Sequence, residues 1–122
     1  MGNTCIRVLA DPVQIKQCKD ELQQLETPLE SLTKIFNLAG NAARFKILYL
    51  LFKEGEMCPC DLSDILDISV GGISQHLRKL RDGGIIKDNK VVQTVFYSIV
   101  NENAQIIQPV LESLSKEKEA VS

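Results

Sequence analysis

Two cysteines separated by one proline, Cys58-Pro59-Cys60, carry the strongest chemical signal in the chain. The run that follows, Asp61-Leu62-Ser63-Asp64-Ile65-Leu66, has apolar residues at 62, 65 and 66, which is helical spacing. Pro59 suits the first helical position, where its missing N–H is no loss. Both thiols would then stand at a helix mouth, where unpaired N–H groups and the helix dipole favour an anion. The thiolate is the form of cysteine that binds metals. Two thiolates alone do not complete most metal sites, so further donors are expected elsewhere in the chain.

The other cysteines are Cys5 and Cys18. Cys5 lies in a segment, residues 1–10, that shows no periodic pattern and reads as a flexible arm, so it is expected as a ligand. Cys18 falls between Ile15 and Leu22 on an apolar stripe, where either burial or ligation is open, because free cysteine is among the most buried residue types. Sulfur-rich sites select soft ions. Three thiolates suit Pb(II), Hg(II), As(III), Sb(III) or Bi(III), and four suit Cd(II) or Zn(II). A trigonal site of Cys58 and Cys60 with Cys5 or Cys18, from the same or the other subunit, is the expectation.

The elements that must position this pair follow from spacing. Asp11-Pro12 starts a first helix, with Ile15, Cys18, Leu22 and Leu25 on one stripe. Thr27-Pro28 is expected to break it and open a second, whose Leu29, Leu32, Ile35, Phe36 and Ala39 would face a core. Asn41 caps a third helix with Ile47, Leu48 and Leu51, closed by Gly55. The fourth begins at the cysteine pair and ends near Asp67. Ser69 caps a fifth, through Ile73, His76, Leu77 and Leu80 to Asp82, stopped by Gly83-Gly84. Residues 85–87 and 91–100 read as β-branched-rich strands, with Asp88-Asn89-Lys90 as the hairpin turn. A last helical segment runs from Asn101, with Pro109 imposing a kink or a late start, and 115–122 is expected to fray.

A short helix, a turn, a second helix and a β-hairpin describe a winged helix-turn-helix, a mainly α fold with a β-hairpin wing (α+β). The second of those helices would lie in the major groove with its N-terminal residues toward base edges. Ser69, Gly72, Ser74, Gln75 and His76 sit at or near that end, and Arg78 and Lys79 add reach toward phosphates. Lys87 and Lys90 are expected to flank the hairpin tip. Five Lys or Arg between 69 and 93 face only Asp82 and Asp88, in a chain of net charge −2. The basic footprint is therefore local. His76 is the one histidine, and packing or DNA contact suits it better than metal binding. Ser74, His76 and Asp82 form no catalytic triad, and no phosphate loop or paired carboxylates appear, so no enzyme is expected.

The chain of 122 residues, 44% hydrophobic and without tryptophan, suits one modest domain completed by a second copy. The expected organisation is an N-terminal arm and helix over 1–26, a winged-helix dimer domain over 27–118, and a frayed tail over 119–122. No apolar run spans a membrane and no secretory leader is evident, which favours the cytoplasm and thiols over disulfides.

Glu56-Met57-Cys58-Pro59-Cys60-Asp61-Leu62, followed by Ser-Val-Gly-Gly-Ile-Ser-Gln-His-Leu-Arg-Lys-Leu from Ser69 to Leu80, resembles the ArsR/SmtB metal-sensing repressors. There the first motif commonly reads Glu-Leu-Cys-Val-Cys-Asp-Leu, and the recognition helix often contains Ser-x-His-Leu. The likeness runs from about Leu32 to the final helix. It implies a homodimeric winged-helix repressor that binds double-stranded operator DNA and releases it on binding its effector. The chain looks closest to the cadmium- and lead-responsive branch, which joins the two motif cysteines with cysteines of an N-terminal extension. Ser63 stands where arsenic repressors carry a third cysteine, and Asn101 to Glu119 holds no histidine of the kind that zinc sensors use. The alternative is a winged-helix repressor that uses its cysteines as a thiol redox or persulfide switch.

Overall fold

A computed structural model describes residues 8–121. The chain divides between Leu32 and Thr33 into two compact units. The N-terminal one holds α1 (Pro12–Gln24) and the start of α2 (Glu26–Ala39). Asp11 caps α1 by accepting from the backbone N–H groups of Val13 and Gln14 at 3.0 and 3.1 Å. The break between the two helices falls at Leu25, not at Thr27-Pro28. Pro28 sits in the first turn of α2, where no intrahelical donor is needed, so it is no barrier. The stripes expected to face a core are largely exposed: only Ala39 of α2 is buried, and Phe36 remains 55% exposed.

The second unit carries the core. α3 (Ala42–Glu54) is capped by Asn41, whose side-chain oxygen accepts from the Arg44 N–H, and Gly55 closes it at φ 91, a conformation glycine adopts freely. A two-residue strand β1 (Glu56–Met57), not anticipated from sequence, leads into α4 (Pro59–Leu66). α5 (Val70–Asp82), β2 (Ile86–Val91), β3 (Thr94–Ile99) and α6 (Gln108–Val121) complete the unit. The sheet order is β1-β3-β2, antiparallel throughout. Ile47, Leu48, Leu51, Leu62, Ile73, Leu77, Leu80, Ile85, Ile86, Ile107 and Leu111 form one buried cluster drawn from α3, α4, α5, β2 and α6 with its lead-in.

The wing and the C-terminal tail differ from the sequence reading, while the late start of α6 agrees with it. The hairpin turn lies at 92–93, because Asp88, Asn89 and Lys90 pair across the sheet with Tyr97, Phe96 and Val95. Lys87 pairs with Ser98 near the base of the wing and does not flank its tip, whereas Lys90 stays close to it. α6 starts late, with Pro109 at its second position, and stays helical through the segment 115–121 that was expected to fray.

Gly83 shows how tightly the end of α5 packs. A Cβ placed there would lie 2.1 Å from Cδ1 of Leu38. Gly83→Ala is expected to lower stability by about 1 kcal/mol or more, because the half-buried Leu38 must leave its place against the core. Thermal unfolding of the variant tests this, and an unchanged midpoint would refute it.

Candidate thiol site and DNA-reading face

Cys58 is the N-cap of α4, at φ −94 and ψ 159, and its side chain makes no capping hydrogen bond. Pro59 takes the first helical position and Cys60 the second. Cys58 is half-buried, Cys60 is exposed, and both are free thiols. The mouth of the helix is held from two sides. β1 pairs with β3 through Glu56–Ser98 and Met57–Tyr97, which fixes the residues just before Cys58. Leu62, fully buried one turn later, anchors the helix to the core. A two-residue strand carries too little pattern to be read from sequence, yet it positions the cysteine pair. Ser63 turns its hydroxyl to the Ile68 carbonyl at 2.5 Å, bracing the α4–α5 turn. That turn closes with Asp67 in the left-handed conformation, φ 56.

Among the described residues, no group of three or more His, Cys, Asp or Glu is arranged to hold a metal ion. The pair at the α4 mouth supplies two soft sulfur donors. Cys18 is exposed on α1 in the single chain. Cys5 lies outside the described residues.

α5 presents the face expected to read DNA. Ser69 caps it, accepting from the Gly72 N–H at 3.1 Å. Ile73, Leu77 and Leu80 are buried, which leaves Gly71, Gln75, Arg78 and Asp82 as an exposed stripe one helical repeat apart, with exposed Lys79 beside it. The two glycines differ. A Cβ on Gly72 would meet Ile68 at 2.9 Å and the Ser69 hydroxyl at 3.2 Å, whereas one on Gly71 would meet nothing within 4 Å. Gly72 therefore permits the close turn inside the protein, and Gly71 leaves open space at the helix's outer N-terminal end. Ser74 is half-buried on the flank. On the wing, Asp88 approaches Arg81 of α5 at 3.6 Å. Ile86, Asp88 and Lys90 alternate onto one face of β2, and Lys87 onto the other.

His76 is half-buried on the other flank of α5, and its Nδ1 is buried with no hydrogen-bond partner. Burial, then the charges of Arg44 and Lys79, hold its pKa below the ordinary 6.5. Arg44 itself is buried and donates from Nε to the Leu38 carbonyl at 2.7 Å, near the end of α2. The unfolded chain therefore takes up a proton at a higher pH than the folded one. Stability from this group is complete above the unfolded value and is lost as pH falls from there through the folded value. Urea unfolding at about pH 7.5 and about pH 5.5 should show the loss, and His76→Gln should flatten that part of the profile. A slope unchanged in the variant would overturn the assignment.

Residues 41–88, which run from the cap of α3 into the wing, match the model of the bacterial regulatory protein, arsR family. The cadmium resistance transcriptional regulatory protein CadC homolog of Staphylococcus aureus is 34% identical over 92 residues, covering 75% of this chain and 74% of that one. The chain belongs to the ArsR family. ArsR proteins are DNA-binding transcriptional regulators and not enzymes. Reduced HlyU from Vibrio cholerae N16961 superposes on this ArsR chain with a TM-score of 0.68 at 32% identity, over 76% of this chain and 97% of that one. A homodimeric winged helix-turn-helix domain from Mycobacterium bovis, 18% identical and covering 80% of this chain and 89% of that one, shares the fold at a TM-score of 0.65. This ArsR chain is thus a winged helix, with α4 and α5 as its helix-turn-helix and β2–β3 as its wing. Among the described residues, no helix is long and apolar enough to cross a membrane.

Proposed function

We propose that this regulator is a cytoplasmic homodimeric repressor that lets go of operator DNA when Cys58 and Cys60, with Cys5 or Cys18, bind a soft metal or metalloid ion. The observation that carries the reading is the free thiol pair at the α4 mouth, uncommitted to capping and one turn ahead of the buried Leu62. The donor type fits Cd(II), Pb(II), Hg(II), As(III), Sb(III) or Bi(III), all of which prefer sulfur. The cadmium-resistance relative supports the same class of effector. The exposed apolar residues Leu22, Leu25, Leu29 and Phe36 of α1, α2 and the link between them, and Val110 and Leu114 of α6, are surface that a second copy would cover.

The two cysteines and the DNA-reading face are adjacent in the fold. α4 packs on α5, so a pull on the α4 mouth from an added donor re-aims Ser69, Gln75, Arg78 and Lys79 together. Ser74, His76 and Lys90 are proposed as supporting contacts around that face, Gly72 as the group that lets α5 start close to Ile68, and Lys87, on the opposite face of β2, as a cation beside it. For release, the metal-bound arrangement must be the one with lower DNA affinity, since a ligand shifts only an equilibrium between states it distinguishes.

The test is a titration of reduced protein bound to a labelled duplex, itself selected by the parent chain from a random-sequence library. Cd, Pb, Hg, Zn, As(III) and Sb(III) are added in turn. Release by soft ions, with a thiolate-to-metal absorption band, is the expected result. Release by oxidant or persulfide without any metal response would replace this reading by the thiol-switch one.

A further inference from the structure

Beside the core, α3, α4 and α6 leave an open groove of about 460 Å³ that neither the DNA-reading face nor the thiol pair uses. Its floor is apolar. α3 contributes half-buried Phe45, Tyr49 and Leu50, and α4 contributes Leu66 with Ile65, which is 52% exposed. Leu114 of α6 closes the remaining side, at the edge of the surface assigned above to a second copy. The rim is cationic: Lys46 and Lys53 of α3 and Lys118 of α6 line it, and no Asp or Glu does. Glu54 meets Lys53 at 3.7 Å, but both side chains are half-exposed and water screens the pair. Among the described residues, Lys46 and Lys118 have no ion-pair partner. Lys46, Leu50 and Lys53 follow at four- and three-residue spacing, which sets the two cations about 10 Å apart on one face of α3.

We propose that this groove binds a medium-chain fatty acid, and that its occupancy is a second input to DNA binding, separate from the cysteines. The input to DNA rests on the regulator reading above; the binding itself does not. A small amphipathic ligand needs an apolar concavity with a few polar groups at its margin. Charge selects an anion, because the lysine stems lie along apolar surface while their ammonium heads stay at the rim. Lysine is a compact charge without a planar fork, so a single carboxylate satisfies it. The space takes an extended chain, whereas a partner helix, about 10–12 Å across with its side chains, asks for a longer and wider trough. The path to DNA is short. Ile65 and Leu66 form the last turn of α4, and the turn after them, braced by Ser63 on the Ile68 carbonyl, leads to Ser69, the cap of α5. A chain wedged between α3 and that turn favours a different placement of the start of α5. Such a difference between states is what couples a ligand to DNA. Cys58 stands at the opposite end of α4.

Decanoate, below its micellar concentration, is titrated into the reduced, metal-free protein by calorimetry. Saturable binding is expected, tightening by about three- to fourfold for each methylene from hexanoate to decanoate. Decanol should bind more weakly, and decyltrimethylammonium not at all. Lys46→Gln and Lys53→Gln should each weaken decanoate by about two- to fivefold. Ile65→Glu adds a carboxylate to the exposed wall, so it should keep the parent's melting temperature and bind decanoate weaker by on the order of tenfold or more. Should it melt lower, the two exposed lysine variants decide. On the labelled duplex, decanoate should weaken binding by the parent about fivefold or more, do the same in the Cys58→Ser, Cys60→Ser variant, and leave Ile65→Glu unaffected. Decanol bound as well as decanoate, parent-like binding by a folded Ile65→Glu, or bound decanoate without any change in DNA affinity would each overturn the proposal. So would the lack of saturable binding, or binding that changes the oligomeric state, which would give the groove to the second copy. A parent chain that holds no duplex would remove the DNA-reading face and the second input with it, while calorimetry still decides the groove.

Discussion

Cys58→Ser is expected to hold DNA as tightly as the parent chain and to keep holding it when a soft metal is added. Serine keeps the size of the side chain and replaces a soft donor by a hard one that such ions bind poorly. The N-cap position sharpens the test. Cys58 makes no side-chain capping bond, whereas serine is among the preferred capping residues. The variant should therefore be as stable as the parent or more so, by about 0.5–1 kcal/mol at most. Metal-induced weakening of DNA binding, typically about 5- to 150-fold for a coupled site, should fall close to onefold. Cys60→Ser should lose the response equally. Fluorescence anisotropy with and without metal reads the coupling, and urea unfolding reads the stability. A Cys58→Ser, Cys60→Ser double variant that still dissociates with metal as the parent does would sink the mechanism.

Leu77→Ala should lower stability by about 2–5 kcal/mol. Leu77 is fully buried between Ile73 and Leu80, and these three side chains are the stripe by which α5 is fastened to the core. The outer stripe of Gly71, Gln75, Arg78 and Asp82 has no such anchorage. Truncation removes apolar contacts and leaves a cavity that rigid neighbours on α3 and α4 fill only in part. In urea, the midpoint should fall with the slope unchanged. DNA affinity of the folded fraction should change far less than stability, since Leu77 points inward. A loss below about 1 kcal/mol would mean that the helix is held by something other than this stripe.

Much of the positioning of the thiol pair was legible because it is local. Asp11, Asn41 and Ser69 cap their helices as their side-chain chemistry predicts. Pro59 behind Cys58 opens α4, and Gly55 closes α3. Each of these depends on groups within four residues. The errors are of the other kind. Asp88-Asn89-Lys90 has turn composition, but cross-strand pairing with residues 95–97 outweighs it and moves the turn to Val92-Gln93, which has none. β1 exists only because β3 offers it partners forty residues away. The periodicity of α1 and α2 correctly marks helices and apolar faces, yet says nothing of whether the same chain covers them.

The amino-acid sequence by itself determined the cysteine pair, the helix mouth on which it stands, the order of a winged helix-turn-helix and the local excess of positive charge. Those follow from side-chain chemistry and short-range backbone geometry. Only the tertiary structure decided that Cys18 is exposed, that Gly72 packs inward while Gly71 opens outward, that His76 hides an unpartnered nitrogen near Arg44, and that the wing tip is a strained valine. Those depend on which distant segments meet, and residue spacing does not encode that until the core has formed.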